Sequence, residues 1–131
     1  MGSPFYARIK GDVLAIARAI PEGRVATYAA IGAHLDVMPR HVAYILATLE
    51  PLERETVPWH RAVAADGTLG PAKAGGRGDE QRARLAAEGV VVDGRGAVVA
   101  FAERAIAVAD LPHGVPPQTR PADTPGGGRR R

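Results

Sequence analysis

Three side chains with chemistry stand together in VPWHRAV, residues 57–63: Trp59, His60 and Arg61. Histidine is the usual proton carrier near neutral pH. Arginine is a planar cation suited to carboxylates and phosphates. Tryptophan is a broad apolar plate, and this one is the chain's single Trp. By residue type alone such a Trp reads as core. What is missing limits the chemistry as much. The 131 residues contain no Cys, so thiol nucleophiles, disulfides and Cys-ligated zinc are excluded. The four histidines, His34, His41, His60 and His113, show no ligand spacing, so neither metal nor cofactor is expected. The Gly-rich basic stretch PAKAGGRG (71–78) lacks the strand and the GK[ST] ending of a phosphate-binding P-loop.

The elements that position these residues read mainly as helices. DVLAIARAI (12–20) has Asp12 as candidate N-cap and a stripe of Val13, Ile16, Ala17 and Ile20. PEGRVAT (21–27) breaks it, and Thr27 caps a short helix, YAAIGAHL. DVMP turns the chain, with Pro39 suited to the first position of the next helix. In RHVAYILATL (40–49), Val42, Ile45, Leu46 and Leu49 face a core, leaving Arg40, Ala43, Tyr44 and Ala47 opposite. Two short helices joined by a tight turn form a helix-turn-helix pattern, or an ordinary helical hairpin. EPLERET (50–56) reads as a polar connector. RAVA reads as a strand before an Asp66-Gly67 turn, and residues 79–89 as a helix. Residues 90–101 read as two strands around Asp93-Gly94-Arg95-Gly96, a small wing.

Composition places one domain over residues 1–110 and a disordered Pro/Gly/Arg-rich tail over 111–131. Net charge is +3, compatible with nucleic acid as a partner. Arg129-Arg130-Arg131 would add phosphate attraction or be simply solvated. No apolar run suits a membrane span and no signal segment is evident. A cytoplasmic, nucleoid-associated monomer is expected.

VPWHRAV resembles the active-site motif of the O6-alkylguanine-DNA alkyltransferases, in which Pro-Cys-His-Arg carries the alkyl-accepting thiol. Trp59 stands where that Cys belongs, as in the alkyltransferase-like proteins. Other segments agree in order: IPEGRVATYAAIG (20–32), PRHVAYIL as the recognition helix, DGTLG as the pocket loop and EQRARLAAEGV as the last helix. The resemblance covers residues 5 to 92, roughly. It implies a mainly helical, winged-helix-like helix-turn-helix fold with short strands, as in the C-terminal domain of those transferases.

It also implies that the helix-turn-helix enters the DNA minor groove and that a damaged guanine is rotated out into a pocket. Thr27, Tyr28, Pro39, Arg40, Ala43 and Tyr44 then form the DNA-contacting set. Tyr28 turns the nucleotide's phosphate, and Arg40 fills the gap left in the duplex. Tyr28, Trp59, His60, Arg61, Leu69 and Gly70 line the pocket. His60 and Glu88 match the relay that would activate the thiol. With no thiol to activate, they read here as a buried structural pair. Indole is too weakly nucleophilic to replace thiolate, so the implied function is non-enzymatic: sensing O6-alkylguanine in duplex DNA and directing it to nucleotide excision repair. A helix-turn-helix regulator of undamaged DNA is the alternative, and a hydrolase using His60 and Glu88 lacks a visible nucleophile. Two departures stand out. The usual Asn before VPWHR is absent, and the pocket loop continues as Pro71-Ala72-Lys73 without Tyr-Ser, leaving open whether Lys73 or Arg77 meets the lesion.

Overall fold

The computed structural model describes residues 4–69 and 76–118. Helix α1, Pro4–Ala19, leads through strand β1, Ala26–Thr27, into α2, Tyr28–Leu35, and α3, Pro39–Ala47. Helix α4, Pro51–Thr56, and a 3-10 turn, Trp59–Arg61, precede strand β2, Ala62–Val63. Helices α5, Gly76–Ala87, and α6, Phe101–Arg104, follow, and a last 3-10 turn spans Val108–Asp110. Among the described residues the fold is thus mainly helical, with a two-stranded parallel sheet pairing Ala26 with Ala62 and Thr27 with Val63.

Two apolar clusters hold it together. The larger joins α1, α2 and α3 through Val13, Ile16, Ile31, Leu35, Val42, Ile45 and Leu46, and it includes Trp59. The smaller joins Val63, Leu69, Leu85, Val90, Val92 and Val98. The sheet lies between them, since neighbouring residues of a strand face opposite ways: Ala62 belongs to the first cluster and Val63 to the second.

Several sequence expectations change. Helix α1 starts eight residues before Asp12, so Asp12 is no cap; it sits one turn from Arg8, 3.7 Å away. EPLERET is helical rather than a connector: Pro51 occupies the first turn and the Glu53 side chain accepts from the Glu50 N–H at 3.0 Å. Helix α3 ends at Ala47, and Ala43 is half-buried against the core rather than on an open face. The wing reduces to isolated bridges, Val92 with Val98 and Thr68 with Ala97, because the chain turns into α6 at Phe101. Residues 111–118, assigned to the tail by composition, lie against α2: Gln118 N–H donates to the His34 carbonyl at 2.7 Å, and Leu111 is buried. Residues 119–131 lie outside the described residues.

Candidate functional site

The helix-turn-helix is built from local signals. Thr27 is extended, and its hydroxyl accepts from the Ala30 N–H at 2.9 Å, capping α2. At the other end Asp36 takes a left-handed conformation, φ 58°, and the Val37 N–H donates to Gly32 at 2.9 Å. Gly32 is required there, since a Cβ would stand 2.5 Å from the Val37 carbonyl oxygen. The turn delivers Met38 and Pro39 to the start of α3, and Pro39 sits in its first turn. Arg40, His41 and Tyr44 are exposed on α3, Tyr44 at 60%. Tyr28, by contrast, is buried in the large cluster.

The second half of the site is the 3-10 turn. Val57 and Pro58 bend the chain out of α4, with the Trp59 N–H donating to Val57 at 2.7 Å and the Arg61 N–H to Pro58 at 3.1 Å. Trp59 is 1% exposed. Gln81 of α5, fully buried, holds the turn from behind: its amide N–H groups donate to the carbonyls of His60 and Ala62, both at 3.0 Å. This satisfies two acceptors that burial would otherwise strand.

Glu88 closes the clamp. Its Oε2 lies 2.8 Å from His60 Nε2 and 2.7 Å from the Arg61 guanidinium, whose Nε also donates to Oε1 at 3.0 Å. The Gly23 N–H adds a bond to Oε1 at 3.3 Å, and Arg61 reaches on to the Ile20 carbonyl at 2.7 Å. Burial works to raise the Glu88 pKa, but the bonds from Arg61, His60 and Gly23 outweigh it and hold it at about 2. Burial lowers the pKa of His60 more than the Glu88 contact raises it, favouring neutral imidazole. The neutral ring donates through Nε2 to the ionised carboxylate. Its Nδ1 is buried and takes no bond from the described residues.

Around Trp59 the setting is cationic. The Arg54 guanidinium carbon lies 4.4 Å from the ring centroid and that of Arg84 5.5 Å. Glu80 joins the two cations, bonding Arg54 at 2.5 Å and Arg84 Nε at 3.0 Å. Beside the turn opens a cleft of about 470 Å³ lined by Arg18, Thr56, Pro58, His60, Arg61 and Arg84, among others.

The structure therefore brings His60, Arg61 and Glu88 into one clamp and puts Trp59, Tyr28 and Val42 in one core. Leu69 falls in the second cluster, its N–H donating to the Gly96 carbonyl at 2.9 Å. Thr27 serves as a cap, and Ala43 is half-buried. Gly70 and Lys73 lie outside the described residues, and Arg77 falls in the first turn of α5. Gln81, Arg54, Glu80 and Arg84 escape a reading of the sequence. The only trace of the last three is the i,i+4 spacing of Glu80 and Arg84.

Known proteins resemble this chain in sequence and fold. The sequence profile of the 6-O-methylguanine DNA methyltransferase DNA-binding domain matches residues 8–90. A DNA base-flipping protein of Escherichia coli (strain K12) is 42% identical over 84 residues, 63% of this chain and 63% of that protein. The match thus spans less than two-thirds of that relative. Alkyltransferase-like protein 1 of Schizosaccharomyces pombe is 32% identical over 89 residues, 67% of this chain and 78% of that protein. The crystal structure of S. pombe Atl1 in complex with damaged DNA containing O6-carboxymethylguanine superposes with a TM-score of 0.67. It shows 25% identity and covers 81% of this chain and 98% of that one.

Proposed function

The chain belongs to the family of the 6-O-methylguanine DNA methyltransferase DNA-binding domain, and on that premise we propose that it is a non-enzymatic sensor of O6-alkylguanine in duplex DNA. The observation that carries the reading is Trp59, which fills the place of the motif's thiol, is 1% exposed, and sits in a turn whose next carbonyls, of His60 and Ala62, accept from the buried Gln81. With no Cys anywhere in the chain, no thiolate is present to displace the alkyl group. The family's reaction centre becomes a binding surface. The relative named for base flipping and the relative solved with damaged DNA support the same direction.

In this mechanism duplex DNA docks on the exposed face of α3. The damaged nucleotide leaves the stack at a cost of a few kcal/mol, least for weakly paired bases. Arg40 enters the vacated space, where its planar cation stacks on bases and balances phosphate. Tyr28, at the start of α2, guides the rotated backbone. The base arrives beside Trp59, whose ring gives the alkyl group an apolar surface once the groups now covering it yield. The ionised Glu88 holds His60 and Arg61 in place and transfers no proton. The monomeric, cytoplasmic complex then marks the site for nucleotide excision repair proteins.

The test is titration of two duplexes identical except for one O6-methylguanine, at fixed salt, reading the emission of Trp59. Tighter binding to the methylated duplex with altered emission is the expected result. Equal binding to both would remove the sensor reading and favour a regulator of undamaged DNA, which a search for a preferred sequence would then identify.

A further inference from the structure

The exposed face of α3 does not end at the helix-turn-helix. Tyr44, 60% exposed, shares an apolar groove of about 320 Å³ with Phe5 and Ile9 of α1 and with His41 and Ile45. An adjoining hollow of about 450 Å³ is lined by Phe5, Val37, Met38, Pro39 and His41. Phe5, Val37 and His41 belong to both, so the two form one continuous apolar surface. Phe5 is 61% and Met38 49% exposed, unusual for large apolar side chains in a cluster. Phe5 also precedes the stretch matched by the family profile, which begins at residue 8.

Two arginines stand next to the exposed rings of this surface. The Arg8 guanidinium carbon lies 5.4 Å from the centroid of the Phe5 ring, and Arg8 is half exposed, its ion-pair contact with Asp12 a long 3.7 Å. Arg40 stands one turn before Tyr44 on α3. The carboxylate that lines the adjoining hollow is Asp36. Its like charge turns phosphate away from that hollow. Two exposed aromatic rings, Phe5 and Tyr44, each with an arginine close by, match a nucleic-acid backbone, which alternates apolar sugar faces with phosphates. Sugar and phosphate contacts of this kind fix register and carry no sequence information.

We propose that the first two turns of α1 are a second DNA-contacting element. Phe5 and Tyr44 rest on deoxyribose faces beside the groove that α3 enters, and Arg8 pairs with a phosphate. The inference rests on the DNA-binding reading above and extends its footprint. It assigns the new contact to affinity for any duplex, not to discrimination of the lesion.

The experiment compares the full chain with Phe5→Ala and Arg8→Ala on the methylated and the unmodified duplex across a salt series. Phe5→Ala is expected to weaken binding to both duplexes by about fivefold with the ratio between them unchanged. Arg8→Ala is expected to make the slope of log affinity against log salt shallower by about one. Both positions are exposed, and circular dichroism with thermal unfolding will show the fold retained. Two results would overturn the proposal. One is a wild-type protein that discriminates the lesion while both variants bind exactly as it does, which leaves the sensor reading standing. The other is sedimentation showing a wild-type dimer that Phe5→Ala dissolves, which assigns the surface to a second copy. A wild-type protein that binds neither duplex removes both readings.

Discussion

The exposed face of α3 and the 3-10 turn at Trp59 share one apolar core, yet they are built in opposite ways. On α3, Arg40 and Tyr44 project from a helix whose inner stripe of Val42, Ile45 and Leu46 is packed in the core. At the turn, the backbone carbonyls, His60 and Arg61 are each held by a side chain from α5 or just beyond it. A surface that must meet a partner keeps its side chains free to adapt. A wall that must keep its shape is fixed in advance, so binding orders less of it. The difference predicts that mutations separate cleanly: changes on α3 alter binding, while changes at the clamp alter stability first.

The largest effect belongs to Glu88→Ala. It strands the Arg61 guanidinium and His60 Nε2 in a mostly buried place, and loss of one partner from such a pair costs about 3 kcal/mol. Urea unfolding of the variant measures it, and an unchanged midpoint would show the clamp to be ornamental. The same group sets a pH dependence. Glu88 has its folded pKa depressed from 4.5 to about 2, so its contribution is present above pH 4.5 and is lost as pH falls toward 2. His60 is also depressed below 6.5, so its neutral form favours the fold above pH 6.5 and stability begins to fall below that. Wild-type stability is expected to decline in acid over both ranges, and Glu88→Ala to flatten the more acidic part.

Gly32→Ala comes next and attacks the other region at its turn. The new Cβ would meet the Val37 carbonyl oxygen at 2.5 Å, and backbone cannot step aside as a flexible side chain can. A cost of about 2 kcal/mol is expected, with weaker DNA binding because the start of α3 must shift. Thermal unfolding and a duplex titration of the same variant check both halves.

Arg40→Ala is expected to leave stability within about 0.5 kcal/mol while lowering affinity for the methylated duplex by roughly tenfold. Tyr28 needs a gentler change, because it is buried in the core and Tyr28→Ala would mix packing with function. Tyr28→Phe keeps the ring and removes only the hydroxyl. If both variants bind like wild type, the comparison between a reading face and a fixed wall fails at its first term.

How far the sequence alone reaches follows the same division. The helix-turn-helix is legible because its signals are local: Thr27 as a cap, Pro39 in the first turn of α3, and an apolar stripe at helical spacing. Helix α4 is illegible by periodicity because PLERET has no apolar stripe; Pro51 and the Glu50–Glu53 contact hold it instead. The first turns of α1 are hidden by an apparent cap at Asp12. The clamp is the least legible. Gln81 reads as a surface residue of an amphipathic helix, and only the packing of α5 on a turn twenty residues earlier makes it a buried donor. Glu88 emerges through the family resemblance, and Arg61 as its closest partner only in three dimensions. Residues 111–118 mislead because Pro and Gly suggest looseness, while His34 Nε2 lies 2.6 Å from the Val115 carbonyl and fastens the segment to α2.

The smallest predicted effect tests what lies between the two regions. Arg54 of α4 and Arg84 of α5 stand over the Trp59 ring, and Glu80 ties them together. These side chains are partly exposed, so the ion pairs themselves contribute little, and a cation over an indole adds about 0.5–1 kcal/mol at such a site. Arg54→Ala is therefore expected to reduce stability by no more than about 1 kcal/mol. Its sharper readout is optical. Removing the cation nearest the single Trp changes the field at the indole and opens it to solvent, so the emission of the free protein should move toward that of an exposed Trp. If the ring must be uncovered for a base to reach it, the variant's emission should also change less on addition of the methylated duplex than that of wild type. An Arg54→Ala protein whose emission matches wild type, free and bound, would place the ring's cover elsewhere and leave the clamp as the sole support of the wall.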